Sequence, residues 1–257
     1  MVKEKKLPPH KSVYLLPNLL TTASLFIGFL GLTWAIQGDF ASCALCILAS
    51  CVFDGLDGKV ARITNTTSEF GVQLDSLADL VAFGVVPAVM TYLWVLNDYG
   101  RLGLMAAFLF MTCGALRLAR FNVQASSSSK KHFVGLPIPA AACTLATLVL
   151  FSDYVPAEYI HTVMPTSALV LVYVLSFFMV STIRFYSFKE LSSFKAHPFS
   201  WMVTAILIFS LVASRPKVLG FIIFLGYIIS GPLYTVFLLS RRNKRLLRDG
   251  SQDEELN

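Results

Sequence analysis

Four aspartates stand inside a strongly apolar stretch of the chain. Residues 53–88 read FDGLDGKVARITNTTSEFGVQLDSLADLVAFGVVPA and place Asp54, Asp57, Asp75 and Asp79 at helical intervals. At about 100° per residue, Asp54, Asp57 and Ala61 share one stripe with Gly58 beside it, and Gly71, Asp75 and Asp79 form a second stripe at i, i+4 and i+8. One charge at the centre of a bilayer costs at least about 2.5–3.5 kcal/mol, so four acids on two successive helices require neutralisation. The cations near them in sequence are Lys59 and Arg62, too few to balance four anions. A pair of divalent cations balances them. Carboxylates with no His or thiolate nearby suit Mg²⁺, Mn²⁺ or Ca²⁺ rather than zinc. Gly58 and Gly71 lack side chains, so a bulky anionic ligand can approach the backbone at both places. Two other readings stay open at this level: salt-bridge partners, and a proton or ion path of the kind an ion-coupled transporter uses.

The short polar connector ITNTTSE (63–69) makes the two acid-bearing helices antiparallel neighbours, so both stripes meet near one membrane face. The rest of the chain is built to sit in lipid. Its 257 residues are 56% hydrophobic and 14% charged, with a mean hydropathy of +0.68, which excludes an ordinary soluble domain. A spanning helix needs about 20 apolar residues. The apolar runs are 16–37, 40–61, 74–96, 102–121, 137–153, 164–183, 197–213 and 217–239, the fifth and seventh being short. The expectation is an all-α integral membrane protein, a polytopic bundle of about eight transmembrane helices. It forms a single domain over 1–240, followed by a basic, then acidic, unstructured tail over 241–257.

Lys and Arg cluster in KEKK, at Lys59 and Arg62, from Arg117 to Lys131, from Arg184 to Lys195, and in RRNKRLLR (241–248). With an even number of spans these lie on one side, which the positive-inside rule makes the cytoplasm; Arg215 and Lys217 fall opposite. Topology and attraction to anionic lipid headgroups account for the net charge of +6, and no feature supports nucleic-acid binding. The basic N-terminus precedes an apolar run too long for a signal peptide and without a small-residue cleavage site, so no cleavage is expected. Cys43, Cys46, Cys51, Cys113 and Cys143 lie in apolar runs and read as packing residues; the C-x-x-C of Cys43 and Cys46 has no second pair to complete a ligand set. His10, His132, His161 and His197 sit at connectors or ends and receive no role.

The pattern Asp54-x-x-Asp57-Gly58-x-x-Ala61-Arg62, eight residues, then Gly71-x-x-x-Asp75-x-x-x-Asp79 resembles the signature of the CDP-alcohol phosphotransferase family at every fixed position. The resemblance implies a helical membrane fold with a six-helix core plus two further helices, two divalent cations (Mg²⁺ or Mn²⁺), and displacement of CMP from a CDP-linked lipid by an alcohol. It further implies that Asp54, Asp57, Asp75 and Asp79 ligate metal, with Asp79 also taking the proton of the attacking hydroxyl. Gly58, Ala61 and Gly71 would line the cytidine nucleotide, with Arg62 near its phosphates. LLPNLLT (15–21) resembles the family's first-helix element and adds Asn18 and Thr21 as nucleotide contacts, with helix capping as the alternative. A homodimer is also implied.

Three further stretches resemble the phosphatidylserine synthase branch: LDSLADLVAFGVVPA (74–88), LRLARFN (116–122) and FVGLPIPAAA (133–142). Ala82 departs from the small polar residue expected there. This branch would join CDP-diacylglycerol to L-serine in a bacterial cytoplasmic membrane, with the active site facing the cytoplasm. A zwitterionic acceptor needs a cation for its carboxylate, and Arg117 and Arg120 are placed to supply it, with Asn122 as a hydrogen-bonding partner. Positive-inside anchoring is the alternative for the arginines, and helix capping for Asn122. Another alcohol, such as glycerol 3-phosphate or an inositol compound, or a CDP-archaeol donor, is the competing reading.

Overall fold

The computed structural model describes residues 15–64, 68–125, 133–160, 162–185 and 215–254. Among them, six helices are long and apolar enough to cross a membrane, and a seventh apolar helix, Ile138–Ser152, is shorter. The expected run 197–213 lies outside the described residues, as do the four histidines. The fold is an all-α, multi-pass membrane bundle.

The first two helices, α1 (Leu15–Ile36) and α2 (Phe40–Thr64), pack along much of their length. Asp39 opens α2: its carboxylate accepts from the Ser42 amide at 2.9 Å, and that bond holds it below its ordinary pKa. Deep in the bundle Ser24 and Ser50 bond to each other's hydroxyl and carbonyl groups across the α1–α2 contact. Such buried hydroxyl pairs join helices where lipid offers no hydrophobic drive.

The third span starts earlier than its apolar run. Ser68 caps α3 (Glu69–Asp79), its hydroxyl accepting from the Gly71 amide at 3.0 Å, so helix begins at Glu69 although the expected apolar run begins at Leu74. Beyond Asp79 the span widens into a π-turn over Leu80–Val85, then returns to α-helix as α4 (Val86–Thr91), followed by a second π-turn over Tyr92–Leu96. Pro87 has no amide to donate, and the Val86 amide bonds to Val81 five residues back, so the ladder is re-registered just ahead of the proline. Within this turn Ala82 is fully buried. A Cβ added to Gly28 of α1 would come within 3.1 Å of it. The departure seen at Ala82 is therefore a close-packing position between α1 and the third span.

The remaining helices are α5 (Arg101–Ala125), α6 (Ile138–Ser152), the short α7 (Ala157–Ile160), α8 (Val163–Val180) and α9 (Pro216–Glu254). Every residue of α6 from Ala141 to Leu150 is buried, and α2, α8, α9 and the third span surround the helix. It is a column inside the protein rather than a lipid-facing wall, which is why 15 residues suffice. Phe26, Phe29, Phe108 and Phe177 are exposed on the outer helices, as expected of surfaces solvated by lipid. Phe133–Val134 pairs antiparallel with Arg184–Phe185, tying the start of α6 to the end of α8. At the opposite end Lys217 pairs with Asp153 at 2.6 Å, so the cation that stood on the less basic face has an acidic neighbour. The last helix runs on to Glu254, which corrects the unstructured tail expected from residue 241. RRNKRLLR is made largely of good helix formers and continues the helix that enters it.

Candidate active site

The acids converge as their spacing requires. Carboxylate oxygens of Asp54, Asp57 and Asp75 all lie within 4.8 Å of one another. Asp79, one turn beyond Asp75, has its carboxyl in hydrogen-bonding contact with that of Asp54. It sits where α3 gives way to the π-turn, a local widening that π-turns bring to functional positions. Asp57 is 5% exposed and accepts from the Thr21 hydroxyl at 2.7 Å, and the same hydroxyl also reaches the Pro17 carbonyl at 3.1 Å. Thr21 thus holds one oxygen of Asp57.

Helix α2 meets the third span chiefly through the π-turn and α4, and nearer the membrane face a cavity of ≈ 380 Å³ opens beside the acids. Asn18, Thr21, Asp57, Gly58, Ala61, Arg62, Gly71 and Asp75 line it, together with Pro17, Ser68, Val72 and Phe121. A Cβ on Gly71 would stand 3.1 Å from both Asn18 Oδ1 and Ser68 Oγ, so the absent side chain keeps this wall open. The Arg62 Nε donates to the Gly58 carbonyl at 2.7 Å, laying the guanidinium back along α2 at the rim. Asp54 and Asp79 are not among the lining residues.

The residues read as an acceptor set part company. The Arg120 Nη1 donates to the Val180 carbonyl at 2.9 Å and closes the end of α8. The Asn122 amide donates to Ser76 Oγ at 3.0 Å, bracing α5 against α3. Arg117 alone of the three is directed inward: it is 9% exposed, its Nε has no hydrogen-bond partner, and it lies within electrostatic reach of Asp79.

A carboxylate triad this tight fits hard divalent cations. The ion pair among the described residues is Lys217–Asp153; Arg62 is turned to the Gly58 carbonyl, and no described Lys or Arg forms an ion pair with the triad. Three anionic oxygen donors with no nitrogen or sulfur donor match the ligand chemistry of Mg²⁺ or Mn²⁺.

Comparison with known families matches residues 14–174 to the CDP-alcohol phosphatidyltransferases. The chain belongs to that family. The match runs from just before α1 nearly to the end of α8 and contains every candidate residue, while α9 lies beyond it. Among curated proteins, a CDP-diacylglycerol–serine O-phosphatidyltransferase of Helicobacter pylori is 39% identical over 234 residues, covering 90% of this chain and 95% of that protein. An archaetidylserine synthase of Methanothermobacter thermautotrophicus is 36% identical over 156 residues, 60% of this chain and 64% of its own length. A CDP-diacylglycerol–serine O-phosphatidyltransferase of Methanocaldococcus jannaschii is 42% identical over 127 residues, 49% and 59% of the two chains. As a member of this family the chain is a phosphotransferase. Sequence reasoning missed Ser68, Phe121 and Ser76. Ser68 was legible as an N-cap ahead of Glu69, whereas Phe121 and Ser76 acquire their places from how α5 crosses α3.

Proposed function

We propose that this enzyme transfers the phosphatidyl group of CDP-diacylglycerol to the hydroxyl of L-serine, releasing CMP. The observation that carries the reading is the carboxylate triad opening on a cavity lined by Asn18, Thr21, Gly58, Ala61 and Gly71. The relative in Helicobacter pylori, aligned over nearly its whole length and named for serine, supports the acceptor.

Asp54, Asp57, Asp75 and Asp79 would hold two divalent cations, Mg²⁺ or Mn²⁺. When bound, such ions supply charge neutralisation to the donor's pyrophosphate and to departing CMP. The chain's own residues do the rest. Asn18, Gly58, Ala61 and Gly71 shape the space for the cytidine, and Arg62 offers its guanidinium to the phosphates at the rim. Asp79 takes the proton of the serine hydroxyl; the serine oxygen bonds to the lipid-side phosphorus, and the bond from that phosphorus to the oxygen of CMP breaks. Positioning and charge provide most of the rate in such transfers. Arg117 receives the serine carboxylate, a charge-assisted contact best made by a buried guanidinium. Arg120 and Asn122 support this pocket by fixing α8 and α3 rather than by touching serine. In this reading the site faces the cytoplasm of a bacterial cell, which the clustering of Lys and Arg in the connectors supports, and the working unit is a homodimer.

Purified protein given CDP-diacylglycerol, Mn²⁺ and a panel of L-serine, glycerol 3-phosphate and inositol is expected to release CMP with serine well above the others. Preference for glycerol 3-phosphate or inositol would reassign the acceptor. Serine movement across vesicles without CMP release would show a transporter instead.

Gly71→Ala tests the nucleotide wall. The added methyl crowds Asn18 and Ser68, an overpacking worth about 1–3 kcal/mol. The KM for CDP-diacylglycerol is expected to rise about tenfold with serine KM little changed. An unchanged CDP-lipid KM would remove Gly71 from that wall.

A further inference from the structure

The cavity beside the acids has one wall without a task so far. Asn18, Gly58, Ala61 and Gly71 reach it from α1, α2 and α3, whereas Phe121 reaches it from α5 and is the aromatic side chain of the lining. Phe121 keeps 47% of its surface exposed, so apolar area remains for a ligand to cover. Its neighbour in the chain fixes where the ring stands. The Asn122 amide donates to Ser76 Oγ at 3.0 Å, and that hydroxyl also reaches the Val72 carbonyl at 3.1 Å. The end of α5 is thereby tied to α3 one residue past Asp75, and Val72 and Asp75 line the cavity together with Phe121.

We propose that Phe121 is a binding residue for the donor: from α5 its ring stacks on the cytosine of the CDP-lipid and closes the nucleotide site on the side away from α1 and α2. The inference rests on the nucleotide reading of this cavity given above. The parts of the two substrates ask different things of a wall. The pyrophosphate is ionic and strongly hydrated, so it gains from cations and from Arg62 rather than from a phenyl group. Serine is a zwitterion and needs charged or hydrogen-bonding partners, and acyl chains find apolar surroundings throughout the bilayer. The base alone is flat and carries a π-face. A phenyl ring meets such a face in an offset stack, with centroids about 4.5–7 Å apart. Stacking of this kind holds a base without reading its edge, so it complements the polar Asn18 on the α1 wall.

Phe121→Leu keeps apolar bulk at a half-exposed position, so the fold is retained, and removes the flat π-face. Phe121→Tyr keeps that face. With CDP-diacylglycerol, L-serine and Mn²⁺, inhibition by added CMP is expected to weaken about tenfold in Phe121→Leu, within the range that one base–aromatic stack is worth. The CDP-diacylglycerol KM should rise alongside it, while the serine KM stays within about twofold, too small a change for a lost contact. Phe121→Tyr should match the parent. Thermal melting with Mn²⁺ should show that CMP stabilises the parent and Phe121→Tyr but stabilises Phe121→Leu much less, a readout independent of turnover. A raised CDP-diacylglycerol KM with unchanged CMP inhibition would show that the ring meets an acyl chain, and a rise confined to the serine KM would move it to the acceptor; either overturns the proposal. So would a Phe121→Tyr as impaired as Phe121→Leu, or a Phe121→Leu indistinguishable from the parent. A parent protein that CMP neither inhibits nor stabilises would overturn the nucleotide reading of the cavity itself, and with it this inference.

Discussion

Asp79→Asn is expected to lower turnover by about 10²–10⁴-fold, the usual contribution of one acid–base group, while CDP-diacylglycerol binding partly survives. The change keeps the size of the side chain and most of its hydrogen bonding. It leaves the Asp54, Asp57 and Asp75 triad intact, and Asp79 is not among the residues that line the cavity. Asp57→Asn should behave differently. Asp57 belongs to both the triad and the cavity wall and is anchored by Thr21, so metal affinity and CDP-lipid affinity should fall together. The kinetics of the two variants, with CDP-lipid binding measured separately, check this division. Equal loss of donor binding in both would show that Asp79 serves only as a ligand.

The second large effect is metal removal. Three carboxylates within 4.8 Å of one another, with no ion-pair partner among the described residues, repel strongly in a medium of low dielectric, so the site is built around positive charge. Excess chelator is expected to abolish CMP release, and Mg²⁺ or Mn²⁺ to restore it. Full activity in chelator would sink the metal assignment.

Much of this site was legible before the fold because its information is local. The Asp54 and Asp57 stripe, and that of Gly71, Asp75 and Asp79, follow from helical period alone, and the short connector between them fixes their meeting. Most of the apolar runs found their helices for the same reason: apolar length is a direct reading of bilayer thickness. The start of the third span was missed because Glu69 and Gln73 interrupt the apolar pattern, while the Ser68 cap that sets the boundary is a hydrogen-bonding signal rather than a hydropathic one. Ala82, which departs from the small polar residue expected from sequence, is where Gly28 lets two helices touch. Arg117 and Arg120 are alike in sequence, three residues apart on one helix. One caps α8 and the other points inward, a difference set by which neighbour each meets across α5.

The account stands on the claim that the aspartate cluster is a two-cation centre. Counting Mn²⁺ bound by purified protein, by the loss of the free-ion paramagnetic signal in the presence of CDP-diacylglycerol, tests it most directly. The expected result is two ions per chain, with binding strongly weakened by Asp57→Asn. Absence of Mn²⁺ and Mg²⁺ binding by active protein, or binding untouched by Asp57→Asn, would contradict it.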